Sequence, residues 1–68
     1  MKPFRVITGA PDGRAIAECP LEDDATLVAK GASMVSNKPH FVSRGTRLLW
    51  WFDRAGRRHA IDDDGAKK

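Results

Sequence analysis

The spacing of apolar positions changes along the chain, and each change marks an element. Residues 4–8 are rich in β-forming types and stop at Gly9. The segment Ala10-Pro11-Asp12-Gly13 has the residues of a tight turn. Proline pre-sets φ at the second position, aspartate accepts the bridging conformation at the third, and glycine takes a left-handed fourth. A second strand over 14–19 follows, and Pro20 ends it. The chain therefore opens with a β-hairpin whose three-residue loop closes on a bulge.

From Leu21 the period becomes helical. Leu21, Ala25, Val28, Ala32 and Val35 step by four, three, four and three, which predicts a helix over 21–35 with these residues facing the core. Leu27 and Met34 widen the stripe. Glu22, Asp23 and Asp24 suit the positive N-terminal end, where an aspartate can cap free amides. Gly31 weakens the middle by about 1 kcal/mol relative to alanine. Ser36-Asn37-Lys38-Pro39 reads as the stop.

Beyond Pro39 the pattern is extended again. It predicts a short strand at 40–43, a turn at Arg44-Gly45-Thr46, an apolar strand at 47–52, a turn at Asp53-Arg54-Ala55-Gly56 and a return strand at 57–61. Alternation along Leu48-Leu49-Trp50-Trp51-Phe52 puts Leu49 and Trp51 on one face and Leu48, Trp50 and Phe52 on the other. The expected architecture is α+β: a β-β-α-β-β domain over residues 1–61, with two hairpins in an antiparallel sheet and the helix on one face. Residues 62–68 (DDDGAKK) have nothing to bury and read as a frayed, charged tail.

Length limits what such a chain can do. A domain of this size buries only about 60% of the surface that its unfolded form exposes, so its stability is marginal unless a partner or a second copy helps. The single cysteine forms no internal disulfide. No apolar run approaches a membrane span and the N-terminus lacks a secretory apolar segment, so a cytoplasmic protein with no membrane partner is expected.

Charge changes the picture more than composition does. Residues 38–58 carry Lys38, Arg44, Arg47, Arg54, Arg57 and Arg58 against Asp53 alone, a local charge of +5 within a total of +3. The same third of the chain holds both tryptophans, Trp50 and Trp51. Local positive charge recruits anions even on a nearly neutral molecule. Arginines can hold phosphates, a two-stranded ribbon can enter a DNA groove, and tryptophans can stack on unpaired bases. These eight residues are the candidate binding site, with Arg54, Arg57 and Arg58 at its centre.

Two function classes follow. The first is a small nucleic-acid-binding accessory protein using the basic second hairpin. The second is an adaptor or inhibitor of the kind carried by phages and plasmids, which would anchor a protein partner on the outward tryptophan and a sheet edge. Homodimerisation is compatible with both, and an acidic protein surface would also suit the cations. Catalysis finds no support: Ser33, Ser36 and Ser43 lack a nucleophile-elbow context, and no glycine-rich phosphate loop occurs. His40, His59 and Cys19 lack metal-site spacing, and Asp62, Asp63 and Asp64 read as solvated, so neither metal nor cofactor is expected.

Overall fold

The structure, a computed structural model, describes residues 2–61. The tail expected over 62–68, with its aspartate run, lies outside the described residues. The elements are β1 Phe4–Thr8, β2 Ala15–Cys19, α1 Glu22–Ser36, β3 His40–Arg44, β4 Arg47–Phe52 and β5 Arg58–Ala60. All strand pairs are antiparallel, and they form one open sheet in the order β2-β1-β3-β4-β5 with the helix on one face. This is the small α+β architecture expected from the pattern. The two hairpins are joined by β3, which crosses back after the helix to lie between β1 and β4 and turns the second half into a three-stranded meander.

The core forms where α1 meets the sheet. Ala25 and Ala29 are fully buried against Val6, Val42 and Phe52, with Phe4, Ala17, Cys19, Leu49 and Trp50 packed around them. The helix thus buries its small side chains at Ala25, Ala29 and Ser33. Of the stripe expected to face inward, Leu21, Val28 and Val35 are exposed, as are Leu27 and Met34. At 100° per residue the helix is rolled about 80° from the expected orientation. The physical reason lies on the sheet, whose tryptophan, phenylalanine and leucine side chains fill the layer. Only a face of alanine and serine lets the helix backbone approach closely over them.

The helix ends depart from expectation at one terminus. Leu21 is the N-cap and no side chain caps the free amides, so the three acidic residues only line the first turn. At the other end Asn37 takes the left-handed conformation, φ 57°, and its N–H donates to Ser33 O at 3.0 Å.

A buried polar clip ties this end to the sheet. His40 Nδ1 lies 3.0 Å from Lys38 O and 3.1 Å from Ser33 Oγ. A carbonyl can only accept, so Nδ1 carries the ring hydrogen, and the Ser33 hydroxyl donates onward to Phe52 O at 3.4 Å.

Two local details correct the sequence reading. In the first hairpin the turn at 10–13 is present, with Gly13 N–H donating to Ala10 O at 2.9 Å. The left-handed residue, however, is Gly9 at φ 84°, not Gly13. Gly13 is needed for proximity instead, because a Cβ there would sit 2.3 Å from Thr8 O.

The second correction concerns β4. Val42 pairs with Trp50 and Ser43 with Leu48, so Leu49 is an extra residue, a β-bulge. It breaks the expected alternation: Leu49 and Trp50 both pack on the core, while Leu48 shares a face with Trp51.

Candidate functional site

The face of the sheet away from α1 carries a row of rings. Ile7 pairs with Phe41, Phe41 with Trp51, and Trp51 with His59, across β1, β3, β4 and β5. Directly opposed residues share a face, so all four side chains stand in line. Phe41 and Trp51 stack with centroids 5.7 Å apart, and Trp51 and His59 with centroids 4.5 Å apart, both within about 21° of parallel. Within the row each ring covers the face of the next. The row ends on β5, an edge strand, so the outer side of His59 has no neighbouring strand beside it.

The β4–β5 turn holds His59 in place. The Asp53 carboxylate accepts from the Ala55 and Arg57 N–H groups at 2.9 and 3.0 Å, and its other oxygen accepts from His59 Nε2 at 2.9 Å. The hydrogen bond from His59, followed by the Arg57 amide, lowers the Asp53 pKa from 3.8 to about 2. Gly56 closes the turn at φ 83°, with its N–H donating to Asp53 O at 2.9 Å. A Cβ at Gly56 would also lie 2.8 Å from Met34 of the helix. The hairpin tip is therefore seated under α1 and does not project as a free ribbon.

Cations border this end of the sheet. Thr8, His40, Phe52 and Arg58 form its last register row, and the loops beyond them carry Arg14, Lys38, Arg54 and Arg57, all exposed. From β2 to β5 the end spans four strand steps, about 19 Å. The ring row Ile7–Phe41–Trp51–His59 lies one register step inside it.

The eight residues singled out from the sequence do not gather on one surface. Trp51 is on the open face, and Lys38, Arg54 and Arg57 are at the loop end beside it. Trp50 faces the helix side, its ring covered by the Arg58 guanidinium 4.4 Å from the centroid. Arg44 and Arg47 oppose each other at the far end beside the β3–β4 turn, Arg44 lying 5.4 Å over the Phe4 ring.

Phe41, His59, Asp53 and Arg14 were missed. Only strand pairing places them, although the Asp-x-x-Gly pattern at 53–56 did signal the turn that orients His59. The far end also carries an open depression of about 300 Å³ lined by Lys2, Pro3, Arg5, Gly45 and Thr46. Arg5 there is paired to Glu18 at 3.1 Å.

Among the described residues no three His, Cys, Asp or Glu side chains stand together as a metal site. No helix among them is long and apolar enough to cross a membrane. No family model, curated protein or solved structure matches the chain.

Proposed function

We propose that the protein is a non-enzymatic module that binds single-stranded nucleic acid at the loop end of its sheet. The observation that carries this reading is the placement of the Phe41–Trp51–His59 row one register step from a rim bearing Arg14, Lys38, Arg54 and Arg57. Phosphates take the cations, and bases meet the ring edges or extend the stack on the outer face of His59. A duplex groove suits the site less, because the β4–β5 tip is packed beneath Met34 and offers no protruding ribbon. Such a partner is met in the cytoplasm, where Cys19 would also stay a free thiol.

The test is titration with short single-stranded and duplex oligonucleotides, following anisotropy and tryptophan emission at ~50 and ~200 mM salt. Saturable, salt-sensitive binding to the single strand with a change in Trp51 emission supports the reading. Absence of binding at the lower salt overturns it.

A further inference from the structure

The outward side of α1 carries four of the six large hydrophobic side chains exposed among the described residues. Leu27, Val28, Met34 and Val35 are exposed by 68, 38, 58 and 89%. They stand four and three residues before Gly31 and three and four after it, which makes them the surface neighbours of that position on the helix. A Cβ at Gly31 would meet nothing within 4 Å. The middle of the face is a shallow gap ringed by four apolar side chains, and exposed surfaces of this kind mark contacts.

We infer that this face joins two copies of the chain, with their α1 helices antiparallel about a two-fold axis at Gly31. The arrangement is self-complementary, as a two-fold contact requires. Leu27 of one copy meets Met34 of the other, and Val28 meets Val35. The missing side chain at Gly31 lets the helix axes approach at the crossing.

Charge agrees with this direction. α1 carries Glu22, Asp23 and Asp24 in its first turn, and the exposed Lys38 follows the Asn37 cap at its other end, so antiparallel pairing brings the acidic first turn of each copy toward the Lys38 end of the other. Antiparallel helices also place opposite dipole ends side by side. Pairing would relieve the shortage of buried area in so short a chain.

Sedimentation equilibrium of the full chain tests the inference, with circular dichroism as the check on folding. The wild type is expected to dimerise, and the exposed-site double variant Leu27→Asp/Val35→Asp to be a folded monomer. Asp24→Lys and Lys38→Asp should each weaken association about tenfold, two symmetric surface pairs being lost per dimer. The combined swap should restore it. A wild type still monomeric at ~1 mM, a range covering even weak dimers, overturns the inference. So does a dimer that survives Leu27→Asp/Val35→Asp, or a combined swap that fails to rescue the single ones.

Discussion

Trp51 and His59 face each other across β4 and β5 with ring centroids 4.5 Å apart, and the far nitrogen of His59 is held 2.9 Å from Asp53. The ring that ends the aromatic row is thus fixed from both sides, by stacking and by a carboxylate that also builds the turn. Removing the carboxylate should loosen both. Asp53→Asn is expected to broaden the His59 ring signals in NMR spectra and to lower the melting temperature.

The same contact predicts an acid limb of stability. A carboxyl whose folded pKa lies below its unfolded value stabilises the fold above the unfolded value and loses that contribution as pH falls toward the folded one. For Asp53 the window runs from 3.8 down to about 2. Acid unfolding of the wild type should therefore show a component between those values that Asp53→Asn lacks. Identical acid limbs in the two proteins would refute the assignment.

Salt dependence counts the phosphates. With Arg14, Lys38, Arg54 and Arg57 each neutralising one, the slope of log affinity against log salt is about −3 for a single strand, an approximately fifty-fold loss between ~50 and ~200 mM. Arg54→Ala/Arg57→Ala should halve the slope. Arg44→Ala/Arg47→Ala, at the far end, should leave most of it. The reverse pattern would move the interface to the β3–β4 turn.

Trp50 carries a different liability. Its indole N–H is buried without an acceptor among the described residues. An orphaned donor costs about 1–3 kcal/mol, so Trp50→Phe gives up some packing but removes that penalty. The expected net change in stability by chemical denaturation is under about 1 kcal/mol, against about 3 kcal/mol lost for Trp50→Ala. Trp51→Ala should instead cost binding more than folding.

The roll of the helix is equally open to test. Ala29 is fully buried, and Ala29→Leu should overpack the layer and cost about 1–3 kcal/mol. Had Val28 and Val35 faced the sheet, position 29 would be more open to solvent and the same substitution nearly neutral.

Legibility divides between local and long-range information. The helix limits, the turn at 53–56 and most strand positions follow from Pro20, Pro39, Gly56 and short-range periodicity. The place of β3 beside β1 depends on pairing between residues more than thirty positions apart, which no local pattern encodes. Which helix face is buried depends on what the sheet presents, since Ala29 and Ser33 carry no strong apolar signal of their own. The site is half visible in the sequence: the cluster of cations is plain there, but Arg14 joins it, and Arg44 and Arg47 leave it, only through strand register. Phe41 and His59 become members of one row in the same way.

The bulge at Leu49 gives β4 one residue more than its partner strand spends, and so sets which length changes the strand can absorb. Loss of Leu49 would leave Arg47 opposite Arg44, Leu48 opposite Ser43 and Trp50 opposite Val42, restoring a regular ladder at the cost of a gap in the core. Loss of a residue beyond the two leucines would instead turn part of the strand over and exchange inward for outward side chains. In a deletion scan, loss of one leucine from the Leu48-Leu49 pair, the same sequence whichever is removed, should stand out as the vacancy that keeps Trp50 inside and Trp51 outside.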